Sequence, residues 1–542
     1  MSNASQSSVL RLTLLGLLAF AAGALFVKFK PFPYPQAVAA AKAAKKSWAR
    51  RSVDPAAVIA KSYSKDAGDP RSSRSLDTAL LPLTVRGFKV SATQSFPKGA
   101  GSIAVVGDTV VLMDWLGNLY VYEEGQIVKR EFPALPNNIE AFVRSLTGPV
   151  ENLRVHDLEY VPACASLAVS YERFDTEKQQ PQIAVSLIAI DPKTIRPTGS
   201  WKTVFASEPM TASRYAGQAG GGRLAVKDSA KLLLTVGDFN QDGVMIESER
   251  VAQDPKSSFG KILELDWATG GHRMVSLGHR NPQGLLVTSG GDVFSTEHGP
   301  AGGDELNRIV EGANYGWPNV SLGTDYGTYD WPNAKLSGGH EGYAMPTFAW
   351  LPSIGVSNLI QIENFHPSWN GDLLVASLKA SSLFRLRLDG QRVVYSEAIW
   401  LGSRIRDIVQ LKTGMIVLWT DDAQLLFVEV DQPKLKQNKR GLGYFGQTEL
   451  AACMTCHHFD VTGPTHLAPS FGNLIGREVA SDSFTRYSPA LKAKGGAWTT
   501  QRLKEFIANP DAFAPGTTMP KLGLSEQDIS TIVALLANVR PE

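Results

Sequence analysis

The chain has 542 residues, 54 Lys and Arg against 52 Asp and Glu, and a formal net charge of +2. So near a balance, it offers nucleic acid no electrostatic footprint. Only 3 cysteines and 9 histidines are present, so a motif that gathers them carries weight.

Near the N-terminus, Leu12 to Val27 is an apolar run with Arg11 before it and Lys28 and Lys30 after it. A spanning helix wants about 17 to 25 residues, a length the run reaches when Val9 and Leu10 or Phe29 are counted. The expectation is an N-terminal transmembrane helix within residues 1–30, kept as an anchor. The alternative is a signal peptide cleaved near Ala37-Val38-Ala39. Residues 31–85 read as a stalk and linker without a core: Ala37 to Arg51 is alanine-rich, helix-prone and basic, and Ser64 to Ser75 is polar and rich in breakers.

Over residues 86–431 the texture changes to short β-rich runs between Gly, Pro, Asn and Asp: Ser102 to Val106, Gln182 to Ile190, Leu232 to Val236, Leu373 to Ser377 and Ile416 to Trp419. Many short strands with no long helix predict a large all-β unit. A propeller is the expected closure, because radial blades protect their edges and gather loops around a central funnel. Asp238-Phe239-Asn240-Gln241-Asp242-Gly243, with Glu249 at the twelfth place, has the spacing of a calcium loop, but it follows a strand rather than a helix and reads as a blade-edge loop.

Within this region stand Gly278-His279-Arg280-Asn281-Pro282-Gln283-Gly284, then Glu297-His298-Gly299-Pro300-Ala301-Gly302-Gly303-Asp304-Glu305, then Asn314-Tyr315-Gly316-Trp317-Pro318-Asn319. These motifs resemble the glucose/sorbosone dehydrogenase family, which implies a six-bladed propeller binding pyrroloquinoline quinone (PQQ) and calcium. The resemblance assigns cofactor contacts to Arg280, Asn281, Lys379, Arg404 and Arg406, and calcium to the backbone carbonyls of Gly299 and Pro300. PQQ carries three carboxylates beside an ortho-quinone, so a set of cations suits it, and calcium prefers oxygen ligands. His279 and His298 are expected to orient loops. Where sugar-oxidising members carry a proton-abstracting histidine, the segment Gly217-Gln218-Ala219-Gly220-Gly221-Gly222-Arg223-Leu224 has Ala219. His156, followed by Asp157, is the substitute base considered beside Arg280 as a catalytic residue.

After a linker over residues 432–442, the region 443–542 carries Cys453-Met454-Thr455-Cys456-His457. Two cysteines bracketing two residues, with histidine next, suit covalent haem c: the thiols add to the haem vinyls and His457 binds the iron. A redox dithiol or half of a zinc site would use similar residues, but no second CxxC exists and Cys164 stands alone. Met519, in Pro515-Gly516-Thr517-Thr518-Met519-Pro520, is the candidate second axial ligand. Ala468-Pro469, Gly476-Arg477, Tyr487 and Trp498 complete a pattern that resembles class I cytochromes c. The resemblance implies a small all-α domain with Arg477, Tyr487 and Trp498 around the haem propionates. Ser525 to Asp528 reads as a helix start ahead of Ile529, Ile532, Val533 and Leu536.

Haem attachment requires export, which outweighs the basic residues after the apolar run and puts both domains in the periplasm, held at the inner membrane. Together the resemblances imply oxidation of a sugar, aldehyde or alcohol at PQQ, with electrons passing through haem c to a soluble cytochrome or terminal oxidase. The alternative expectation is a catalytically inactive propeller that docks a partner or binds a ligand.

Overall fold

The computed structural model describes residues 63–97, 101–145, 153–210, 218–242, 250–326, 339–432, 468–482, 487–522 and 524–537, with single positions 56, 60, 99, 331, 453, 457 and 484. The apolar run at 12–27, the alanine-rich stretch at 37–51, Glu249, the linker and Cys456 lie outside the described residues. Among the described residues no helix is long and apolar enough to cross a membrane.

Six antiparallel sheets of four or five strands stand radially around one axis among the described residues. Their inner strands are Gly101–Val106, Val155–Val161, Gly221–Val226, Pro282–Val287, Val356–Gln361 and Ile405–Gln410. Each lies beside the next, and the last returns to the first, so the ring is closed. Strand burial follows position in the blade. Leu373–Ser377 and Ile416–Thr420 are buried throughout because neighbouring blades cover both their faces, which selects continuous Val, Leu and Ile. The outermost strand Arg392–Trp400 alternates between exposed and partly covered residues, and its Arg392 and Glu397 discourage edge-to-edge pairing.

The first blade mixes the two ends of the propeller. Arg71–Asp77 and Pro82–Lys89 pair onto Gln424–Val430, with Leu83 opposite Val430 and Phe88 opposite Leu425. This corrects the linker reading of residues 71–85. Arg71–Asp77 is almost wholly exposed, so its sequence lacks the apolar alternation of a strand, and the backbone ladder to Pro82–Lys89 holds it in the sheet.

Five of the six inner strands bulge at the same end of the ring. The register slips between Ser170/Tyr171 opposite His156, and within Gly221/Leu224, Pro282/Gly284, Val356/Leu359 and Ile405/Asp407. A bulge frees a residue from the ladder and re-aims its side chain. The residues freed include His156, Arg223, Gln283, Asn358 and Arg406, all polar.

Arg223 ties the centre together. Its Nη1 donates to Asp157 Oδ1 at 2.7 Å and Asp407 Oδ1 at 2.9 Å, and its Nε donates to Gln283 O at 3.1 Å. Ser102 Oγ donates to Asp157 Oδ1 at 2.6 Å and also contacts Asp407, while Asn358 Nδ2 donates to Asp407 Oδ1 at 2.8 Å. The network thus joins inner strands from all six blades.

The C-terminal unit is helical, with helices Pro489–Ala493, Thr500–Ala508, Pro510–Phe513 and Glu526–Ala537. Ser488 and Thr499 cap two of them by accepting from Leu491 N–H and Arg502 N–H, each at 3.2 Å. Ser525 Oγ accepts from Asp528 N–H at 3.1 Å, and Asp528 Oδ2 accepts from Ser525 N–H at 3.1 Å, a reciprocal cap. Ile529, Ile532, Val533 and Leu536 pack against Leu503, Phe506 and Ile507 in one core.

Candidate functional site

The bulged end of the ring carries the residues singled out in the sequence. Arg280 precedes the inner strand Pro282–Val287 and is 8% exposed. Its backbone N–H donates to Glu297 Oε1 at 2.6 Å, its Nη1 donates to Gly299 O at 3.1 Å, and its guanidinium lies 5.2 Å from the Trp317 ring centroid. Its Nε is buried with no hydrogen-bond partner among the described residues. Asn281 Oδ1 accepts from Gly221 N–H at 3.2 Å and Gln283 Nε2 at 2.8 Å, so it joins two blades.

The loop from Glu297 to Asp304 is fixed on both sides. His298 Nε2 donates to Val356 O at 2.5 Å, and burial pushes its pKa down, which keeps the ring neutral. Asp304 accepts from Gly299 N–H at 3.2 Å, Gly355 N–H at 2.6 Å and Val356 N–H at 3.2 Å. His279 is fully buried, 2.8 Å from both Glu297 and Ser276, and stacked on Tyr315. Both histidines are committed to holding loops.

Lys379 and Arg404 are exposed, each just outside a blade strand, after Leu373–Ser377 and before Ile405–Gln410. The Lys379 backbone abuts Gly355, whose N–H is bound by Asp304. Arg404 Nε and Arg406 Nε both donate to Asp421, at 2.8 and 2.9 Å. One carboxylate faces two guanidiniums, which leaves this edge cationic. Burial works against the charge of Arg406, and nearby Arg154 and Arg404 add to that; Asp421 opposes it.

The proposed calcium carbonyls are already engaged: Gly299 O accepts from Arg280, and Pro300 O accepts from the Tyr326 hydroxyl at 2.9 Å. Each of these carbonyls keeps a second lone pair beside the hydrogen bond it accepts. The cations of this edge suit a polyanion. Asp238, first residue of the calcium-like loop, is also committed. Trp317 Nε1 donates to it at 2.6 Å, and burial pushes its carboxyl up to about 7 although Arg280 lies near.

A small pocket open to solvent lies beside Arg280, lined also by Glu297, His298, Glu305, Trp317 and His340. Burial and the carboxylates of Glu297 and Asp304 push Glu305 up to about 8.

His156 sits on the next-but-one inner strand. Its ring lies on the glycines after Ala219: a Cβ added to Gly222 would fall 2.3 Å from His156 Cβ, and one on Gly220 would fall 2.9 Å from His156 Cε1. Its Nε2 is 3.3 Å from Glu172 Oε1, and the Glu172 side chain is fully buried. The carboxylate partner is therefore Glu172 rather than neighbouring Asp157, which is held by Ser102, Arg223 and Leu224 N–H.

Sequence reasoning missed Glu172, Asp421 and Arg223. Glu172 and Asp421 lie on or beside strands with no motif around them, and only the pairing register brings them to their partners.

In the helical unit, Cys453, His457, Arg477, Tyr487, Trp498 and Met519 line one cavity enclosing about 1130 Å³ of empty space open to solvent. His457 Nδ1 donates to Pro469 O at 2.7 Å, which makes Nε2 the nitrogen that carries the lone pair, and its ring stacks on Phe471 at 4.3 Å. Arg477 donates to Gly472 O at 2.9 Å and Ser470 O at 2.6 Å, and its Nε is buried without a partner. Burial, aided by Asp482, pushes the Tyr487 hydroxyl up to about 12.

Residues 117–427 match the family model for glucose / sorbosone dehydrogenase. The chain belongs to that family. Aldose sugar dehydrogenase YliI of Escherichia coli is 29% identical over 240 residues, 41% of this chain and 62% of that relative. A cytochrome c homolog of Rickettsia typhi is 37% identical over 94 residues, 17% of this chain and 54% of that protein. The chain thus spans less than two thirds of either curated relative. The apo-form crystal structure of soluble aldose sugar dehydrogenase from Escherichia coli shares the fold at a TM-score of 0.54 and 22% identity, covering 66% of this chain and 99% of that one. Both resemblances read from the motifs hold: a glucose/sorbosone dehydrogenase propeller, and a C-terminal portion similar to cytochrome c.

Proposed function

We propose that this chain is a quinohaemoprotein that oxidises a sugar, aldehyde or alcohol and relays the electrons through haem c to a soluble cytochrome or terminal oxidase. Its globular domains work in the periplasm, held at the inner membrane by the N-terminal apolar run. The observation that supports the reading is that Arg280, Lys379, Arg404 and Arg406 all belong to the bulged end of the ring, with a buried Arg280 Nε that has no partner among the described residues. An unsatisfied buried cationic donor is costly, and a carboxylate ligand relieves that cost.

PQQ fits this set through its carboxylates, with Arg280, Lys379, Arg404 and Arg406 holding them and Asn281 offering a neutral contact; when bound it supplies two-electron acceptance by an ortho-quinone. Haem c fits the second cavity, where Cys453 and Cys456 would hold it covalently, His457 and Met519 would ligate it and Arg477 would meet a propionate; it supplies a one-electron relay. The protein's own part in the first site is to fix the loop Glu297 to Asp304 through His298 and Asp304, and to keep Arg280 against Trp317. Calcium would enter this scheme at the carbonyls of Gly299 and Pro300, beside the hydrogen bonds they accept from Arg280 and Tyr326.

The test is to supply the haem-loaded protein with PQQ and aldoses, sorbosone or simple alcohols and follow haem reduction. Reduction that requires both PQQ and substrate supports the reading, and bound PQQ with no reduction by any substrate refutes it. The second reading, an inactive propeller that docks a partner, is favoured by Ala219 and would then stand.

A further inference from the structure

Resting on that reading, we infer that His156, positioned by Glu172, is the proton acceptor for the substrate hydroxyl. Ala219 has no titratable group. The next three residues are glycines, and His156 from the neighbouring blade lies directly on Gly220 and Gly222. Gly221 between them is bonded to Asn281, the residue after Arg280. His156 and the cationic pocket therefore border the same short segment.

Two further observations separate this histidine from an ordinary packed one. It is the bulged residue of its strand: Asp157 pairs with Ser170 and Val155 with Tyr171, so His156 is left out of the ladder and its ring is turned away from the normal alternation. Its Nε2 lies 3.3 Å from a fully buried carboxylate, an ion-pair contact without hydrogen-bond geometry in this conformation, and Glu172 is itself fixed by accepting from Arg154 N–H at 2.9 Å. Closing that contact into a hydrogen bond would hold Nε2 as N–H and leave Nδ1 as the basic lone pair. Nδ1 has no hydrogen-bond partner among the described residues. His279 has both ring nitrogens engaged, by Glu297 and Ser276, and His298 is tied through Nε2 to Val356 O.

The proton balance is simple. The substrate O–H bond breaks as an Nδ1–H bond forms on His156; PQQ, when bound, would supply the two-electron acceptor for the hydride that the carbon loses as the C–O bond becomes C=O. Glu172 compensates the positive charge that the imidazole gains.

Two measurements test this. In the protein without PQQ, ring nitrogen NMR is expected to show His156 as the Nε2–H tautomer, and Glu172→Gln to give a mixture of tautomers; an Nδ1–H tautomer in the unmodified chain overturns the inference whatever the turnover. With PQQ and an oxidised substrate, His156→Asn is expected to lower kcat by roughly 10²- to 10⁴-fold, with PQQ affinity unchanged and partial rescue by added imidazole. A kcat within threefold of the parent overturns the inference while leaving the proposed function intact. If the unmodified chain binds PQQ yet oxidises nothing, the proposed function fails first and this role falls with it.

Discussion

Arg223→Met removes the cation from the middle of the ring and keeps most of the side-chain volume. Arg223 is 4% exposed and faces Asp157 and Asp407, themselves 3% and 0% exposed. Two charge-assisted hydrogen bonds are lost, each worth about 1.5–3 kcal/mol, and two buried carboxylates are left bridged only by Ser102. Breaking a buried ion pair from one side typically costs about 3–5 kcal/mol, and the two estimates agree. Burial already pushes Asp157 up to about 6 with Arg223 present, so without the cation a proton should enter the pair near neutral pH. Urea unfolding of the haem-loaded protein, followed by fluorescence of the buried propeller tryptophans Trp369 and Trp419, should show the propeller destabilised by about 3–5 kcal/mol. Arg223→Met combined with Asp407→Asn should recover part of that loss. A loss below about 1 kcal/mol in the single variant, the range of an exposed ion pair, would refute the claim that this network holds the blades together.

Stability should also fall as pH rises. Burial pushes Asp157, Asp238 and Glu159 up to about 6, 7 and 8 from ordinary values of 3.8, 3.8 and 4.5, so the folded state binds protons more tightly than the unfolded chain. Their contribution is full below the unfolded values and is lost as pH climbs through about 6 to 8. Glu159→Gln should flatten that decline in urea midpoints, and an unchanged slope would count against it. Arg280→Gln should weaken PQQ binding by about ten- to a hundredfold, the equivalent of one charge-assisted hydrogen bond, measured by titration; unchanged affinity would remove Arg280 from the site. Gly222→Ala forces a Cβ to within 2.3 Å of His156 at φ +95° and should cost about 1–3 kcal/mol; retained stability with an unmoved His156 resonance would contradict the packing described. Met519→Ala should convert the haem to a high-spin spectrum and lower its midpoint potential, and an unaltered spectrum would exclude Met519 as ligand.

The inner and middle strands were legible because burial on both faces demands runs such as Leu232 to Val236, which local sequence displays without help from the rest of the fold. The strand Arg71–Asp77 was not, since it lies at an edge and its side chains face water. In the same way Arg280 and His457 announce themselves through motifs, whereas Glu172 is tied to His156 only by a bulged register between two strands. The hydrogen bonds at the carbonyls of Gly299 and Pro300 were not legible for a different cause: they depend on Arg280 and Tyr326, and no spacing in the chain encodes that.

The pairing of Leu83 with Val430 sets a timetable for biogenesis. The first blade lacks its partner strands until nearly the whole propeller has been synthesised, and closing so long a loop is slow. Until then Pro82–Lys89 presents an open edge to any other extended chain. A nascent molecule therefore gains from being kept unfolded until Gln424–Val430 arrives, and truncation ahead of that segment would yield an aggregating product rather than a smaller enzyme.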